Sequence, residues 1–66
     1  MNKTFGGNIK VFRQLNNLTQ KQLGEMLGFS ARTISDWEYN NTQPDIKTIK
    51  KIVQVLNITL DELFDF

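Results

Sequence analysis

The chain has 66 residues, 39% of them hydrophobic, and eight Lys or Arg against seven Asp or Glu give a formal net charge of +1. That length allows one domain, residues 1–66, near the lower limit at which a chain buries enough surface to fold alone. Cysteine and histidine are both absent, which excludes a disulfide framework and a thiolate metal site and favours a helical bundle, whose contacts are mostly local.

The first predicted helix covers residues 8–15, with Phe5, Ile9 and Phe12 spaced to fall on one face. Asn16 and Asn17 mark its end, because asparagine tolerates the left-handed conformation. Thr19 followed by Gln22 matches a capping box, so a second helix runs from residue 20 to about residue 27. Leu23 and Leu27 lie one turn apart on its inner face with Met26 beside them, and Gly28 stops it. Ser30 then caps a third helix over 31–38. Ile34 and Trp37 anchor one side of it, whereas Ala31, Arg32, Ser35 and Asp36 are too small and polar for a core. The stretch YNNTQP is a loop, closed by the only proline. Asp45 caps a fourth helix in which Ile46, Ile49, Ile52, Val53 and Leu56 form an apolar stripe, with Lys47, Lys50, Lys51 and Gln54 opposite. Thr59 caps a short last helix through Leu60, Leu63 and Phe64, with Glu62 at the capping-box position.

The expected fold class is therefore all-α, five short helices with no strand signal. The core is assigned to Phe5, Ile9, Phe12, Leu18, Leu23, Leu27, Phe29, Ile34, Trp37, Ile49, Ile52, Val53, Leu56 and Leu63. So aromatic a set is read as packing, because nothing polar converges on it. No apolar run approaches the roughly 20 residues of a membrane span. The start, MNKTFGGNIK, lacks the apolar region of a secretory signal, so a cytoplasmic protein is expected.

Charge is unevenly placed. Lys3, Lys10, Arg13, Lys21 and Arg32 precede Ser35 against a single acid, Glu25, while the end of the chain, DELFDF, holds three acids and no base. The basic half suits a polyanion, and the plain alternative is a set of solvated helix faces. An enzyme is not expected: there is no histidine or cysteine, no Gly-rich phosphate loop and no acid pair in a cleft. Asp61 and Glu62 sit in a first helical turn, where acids favour the helix dipole, so no metal is expected either.

Two helices separated only by GFS make a helix-turn-helix at about residues 19–38. The run LTQKQLGEMLGFSARTISDWE, followed by PDIKTIKKIVQVLNITLDELF, resembles the Cro/C1-type helix-turn-helix family, also called the Xre family. The likeness extends from about Phe5 to Phe64. It implies a five-helix, lambda-repressor-like DNA-binding domain. In such a motif the second helix of the pair lies in the major groove, which is about 12 Å wide and admits one helix. Ala31, Arg32, Ser35 and Asp36 are then the base-contacting set. Arg32 is its one long donor, suited to guanine O6 and N7, with pairing to Asp36 one turn on as the plain alternative. Two positions depart from the family. Ala31 stands where a base-contacting side chain is usual, and Asp36 stands where a basic or amide residue is common.

The resemblance further implies phosphate contacts from Gln20 at a helix N-terminus, from Thr33, and from the loop residues Tyr39, Asn40 and Asn41, including main-chain N–H groups there. It implies a partly buried pair between Arg13 and Glu38 that fixes the angle between helices. Leu60, Phe64 and Phe66 leave more apolar surface than one short helix needs and are the preferred dimer contact, with Val11 and Leu15 as the other choice. The expected partners are double-stranded DNA and a second copy of the chain, with no cofactor, metal, membrane or small-molecule ligand. The function expected is a transcriptional regulator, a repressor on a near-palindromic operator. The alternative is an antitoxin or cofactor-like module that acts by binding a partner protein.

Overall fold

The computed structural model describes residues 4–66, so Lys3 of the basic half lies outside the described residues. Within them the chain forms five helices and no strand: α1 Phe5–Leu15, α2 Gln20–Leu27, α3 Ala31–Glu38, α4 Ile46–Leu56 and α5 Leu60–Leu63. None is long and apolar enough to cross a membrane.

Caps set most of the boundaries. The side chains of Thr19, Ser30, Asp45 and Thr59 each accept from the backbone N–H three residues on, and Thr19 and Thr59 complete capping boxes with Gln22 and Glu62. Asn57 ends α4 in the left-handed region at φ 56°. Asn17 and Asn40 take the same conformation in the loops after α1 and α3, at φ 58° and 61°.

The first helix corrects the sequence reading. It starts at Phe5, not at residue 8, with Thr4 as its cap. A Gly-Gly pair costs a helix about 1 kcal/mol per glycine relative to alanine, so its place inside α1 needs a tertiary reason. Gly6 is packed against the end of α3. A Cβ there would overlap the Trp37 carbonyl oxygen and lie 2.7 Å from that of Glu38. Its N–H donates to Asn40 Oδ1 at 3.0 Å, and Asn40 Nδ2 donates to Thr4 Oγ1 at 3.1 Å. The start of α1 is thus sewn to the end of α3.

Ile9, Leu23, Ile34, Ile52 and Leu63 are fully buried where the helices meet, and Phe5, Leu27, Trp37 and Leu56 complete the buried cluster. Phe12, Leu18, Ile49 and Val53 are only partly covered, alongside Val55 and Ile58, which the sequence reading did not assign to the core. One residue assigned to the core, Phe29, lies outside it, and so does Ile46 of the α4 stripe. Ile46, in the first turn of α4, overhangs the core and is 73% exposed. Phe29 is 39% exposed and meets Trp37 edge-on at 5.0 Å between ring centres. Asn8 is a buried polar residue that periodicity did not reveal. Its Nδ2 donates to the Leu63 and Asp65 carbonyls, each at 3.0 Å, and so fastens the end of the chain to α1.

Asp45 gives the fold a specific acid response. Its carboxylate accepts from the Thr48 N–H at 2.8 Å. Hydrogen bonding by the Thr48 side chain and then its N–H holds the Asp45 carboxyl below the ordinary value of 3.8, with Lys47 and Lys51 adding to the effect. A depressed folded-state pKa contributes stability above the unfolded value and loses it as pH falls through the folded one. Asp45→Asn keeps a capping side chain but cannot titrate. Its melting temperature is therefore expected to fall less than that of the wild type between about pH 5 and 2, a difference that thermal melts across that range detect.

Candidate nucleic-acid interface

The second and third helices are joined by Gly28, Phe29 and Ser30. Gly28 takes φ 86°, and its N–H and that of Phe29 both donate to the Gly24 carbonyl at 2.8 Å. Such a left-handed cap suits glycine. Gly24 admits the turn, because a Cβ there would overlap the Phe29 carbonyl oxygen. The chain can therefore reverse tightly enough for α2 and α3 to pack on one another, while α1 also packs on α3.

The faces of α3 differ sharply. Ile34 and Trp37 are buried, at 0% and 3% exposure. Ala31, Ser35 and Asp36 are half-buried and Arg32 is exposed. The helix ends in Glu38, whose carboxylate is the meeting point of three helices. Arg13 Nε of α1 donates to Glu38 Oε2 at 2.6 Å and Arg13 Nη2 to Oε1 at 3.1 Å. Gln20 Nε2 of α2 donates to the same Oε1 at 3.0 Å, and Arg13 Nη1 donates to the Leu18 carbonyl at 2.8 Å. Both ions are buried, and no buried side-chain polar atom among the described residues lacks a partner. The geometry brings together the pair expected from Arg13 and Glu38 and adds Gln20, which the sequence reading had placed only toward phosphate.

Other predicted site residues are spread around α3. Gln20 is the first residue of α2, where main-chain N–H groups have no intrahelical partner. The Thr33 hydroxyl lies 3.1 Å from Ser30 Oγ, and Tyr39 is 70% exposed. The loop requires a correction. Its main-chain N–H groups at Asn40 and Asn41 are not open donors: they bond the Trp37 carbonyl at 3.0 Å and the Asp36 carbonyl at 2.8 Å. The Asn40 side chain is engaged with Gly6 and Thr4, so its role is to hold α1 to α3. The Asn41 side chain remains at the surface. On the outer face of α3, Arg32 Nε and Asp36 Oδ1 are 3.7 Å apart, an ion pair one turn long.

At the end of the chain, Phe5, Phe64 and Phe66 form a row with ring centres 5.2 and 6.4 Å apart. These rings, with Gln43, Pro44 and Ile49, line a shallow groove. Leu60, Phe64 and Phe66 are 47%, 48% and 62% exposed. On α1, Leu15 is 70% exposed and Val11 is half-buried.

A capped helix pair with a three-residue turn, the second helix fixed on one side and bare on the other, defines a helix-turn-helix domain. The family pattern described as helix-turn-helix matches residues 9–63, and the chain belongs to the Cro/C1-type helix-turn-helix family. It is 37% identical over 59 residues to the HTH-type transcriptional activator BcrR of Enterococcus faecalis, covering 89% of this chain but only 29% of that protein. The HTH-type regulator YazB of Bacillus subtilis is 36% identical over 59 residues, and 86% of its length is covered. The structure of the P22 c2 repressor with a synthetic operator superposes with a TM-score of 0.88 at 28% identity, covering 97% of each chain. The all-α, five-helix expectation and the resemblance read from the sequence both hold.

Proposed function

We propose that this chain is a sequence-specific, DNA-binding transcriptional regulator, working in the cytoplasm as a single domain that pairs with a second copy. The observation that carries this reading is α3 itself, locked on its inner side by Ile34, Trp37 and the Arg13–Glu38–Gln20 node, and bare outside. A helix so held fits the major groove with its N-terminal residues toward base edges. Arg32 is the principal reader, with Ala31, Ser35 and Asp36 beside it. The α2 N-terminus at Gln20 suits a phosphate through its N–H groups and dipole, and Thr33, Tyr39 and the Asn41 side chain are the further phosphate contacts of this reading.

Repression is favoured by the likeness to the P22 c2 repressor, whose structure contains an operator. One half-site of a few base pairs discriminates poorly. Pairing through Leu60, Phe64 and Phe66 doubles the readout and calls for a near-palindrome with half-sites about 34–36 Å apart. In vitro selection of bound duplexes, run beside a solution-mass measurement, tests the proposal. Two-fold symmetric sites carrying a guanine in each half, with a species of twice the chain mass, are expected. Arg32→Ala is expected to abolish the guanine preference, a loss of about ten-fold or more in affinity for the selected site. Stoichiometric capture of one protein, with no duplex selected, would instead favour a partner-binding module.

A further inference from the structure

We infer that Asp36 is a positioning residue that gives Arg32 its preference for guanine, an assignment that rests on the DNA-binding reading above. The two side chains are unequal partners. Arg32 is 87% exposed along its side chain, whereas Asp36 is 31% exposed and stands one turn closer to the end of α3. The main chain at Asp36 is itself pinned, since its carbonyl accepts from the N–H groups of Asn41 at 2.8 Å and Thr42 at 3.4 Å. Asp36 is thus the more enclosed partner, on an anchored stretch of main chain, and the Arg32 guanidinium the more exposed one.

Which atoms meet decides what remains free. The contact runs through Arg32 Nε, 3.7 Å from Asp36 Oδ1. Among the described residues neither Nη group of this exposed side chain makes a hydrogen bond, so the two-donor fork is available to a pair of acceptors. Guanine presents two acceptors, O6 and N7, to such a fork in the major groove, while adenine presents one acceptor and the N6 amino donor. A fork held at its Nε end therefore gains two hydrogen bonds on guanine and faces a donor clash on adenine. An untethered arginine can swing to a phosphate or approach through Nε, and discriminates less.

Charge gives the same feature a second, opposite consequence. Arg32 is the only basic residue of α3, and Asp36 neutralises it. The reading face then adds nothing to general attraction for phosphate. In free solution the exposed pair is weak and screened by salt. Inside a groove that excludes water the attraction strengthens, so its effect belongs to the bound complex.

The test titrates wild type, Asp36→Asn, Asp36→Glu and Arg32→Lys against a selected duplex, the same duplex with the read guanine changed to adenine, and a random duplex. Asp36→Asn is expected to bind the random duplex several-fold more tightly, because a negative charge near phosphates is gone. The same variant is expected to lose about ten-fold in its guanine-over-adenine ratio. Asp36→Glu, which can still span one turn, is expected to restore that ratio, and Arg32→Lys to lose it while retaining salt-sensitive binding. If Asp36→Asn tightens binding to every duplex alike with its ratio intact, Asp36 merely repels phosphate and the positioning role is overturned. If wild type itself binds no duplex in a salt-sensitive way, the DNA-binding reading falls and this assignment with it.

Discussion

Arg13→Ala is expected to destabilise the domain by about 3–5 kcal/mol, because it strands the buried Glu38 carboxylate. The arginine is not on the reading face. It supplies two hydrogen bonds to Glu38 and one to the Leu18 carbonyl, and its side chain is 9% exposed. Removing it leaves Gln20 as the one remaining side-chain donor to that carboxylate, too little for a buried ion. At roughly 0.05–0.15 kcal/mol per residue, the whole domain holds a stability of similar size. The melting temperature should therefore fall by more than about 10 °C. The intact pair itself contributes less than this loss suggests, since much of the loss is the penalty of the orphaned charge. Replacing both ions together, as Arg13→Met with Glu38→Leu, is accordingly expected to be milder than Arg13→Ala alone. If Arg13→Ala melts like wild type and changes only base preference, the node does not hold the fold.

Gly6→Ala is expected to destabilise by about 3 kcal/mol, against the usual sign for a helix interior, where alanine gains about 1 kcal/mol over glycine. The reversal follows from what the new methyl meets. Its neighbours are the main-chain carbonyls of Trp37 and Glu38, which cannot rotate aside as a side-chain tip can, and Asn40 Oδ1 at 2.9 Å. The start of α1 must then move off the end of α3 and loosen the Gly6 N–H bond to Asn40. Urea unfolding reads the effect as a lowered midpoint with an unchanged slope. A variant as stable as wild type would show that α1 and α3 are not so closely apposed.

These two positions also show what a sequence can and cannot disclose. The second and third helices were legible because their signals are local: Thr19 with Gln22, Ser30, and Gly28 between them act within a few residues. The family likeness brought out Arg13 with Glu38, two charges 25 positions apart that no periodicity links. The start of α1 was not legible, because Gly6 and Gly7 oppose a helix locally and only the packing against α3 overrides them. Asn8 was hidden for a related reason, its two acceptors being carbonyls more than 50 positions away. Phe29 reads as core by its apolar character and Ile46 as part of the α4 stripe, yet each sits next to a helix start, at the edge of the core. The engagement of the loop was not legible either: the Asn40 and Asn41 N–H groups close the end of α3, and the Asn40 side chain reaches Gly6 and Thr4, more than 30 positions away.

The proposed function draws on the same node that holds the helices together. Glu38 fixes the end of α3 to α1, and through Gln20 it also meets the start of α2. The helix proposed to read bases and the helix terminus proposed to hold a phosphate are therefore set at one mutual angle. A disturbance at Arg13 would reach both.

DNA binding by α3 is tested most directly by a fluorescence-polarisation titration of the wild-type chain against its selected duplex, repeated at several salt concentrations. Tight binding is expected, its logarithm falling linearly with the logarithm of salt by about 0.9 for each phosphate neutralised, with weaker binding when one half-site is scrambled. Affinity that ignores salt, or that is equal for selected and scrambled duplexes, would contradict this reading.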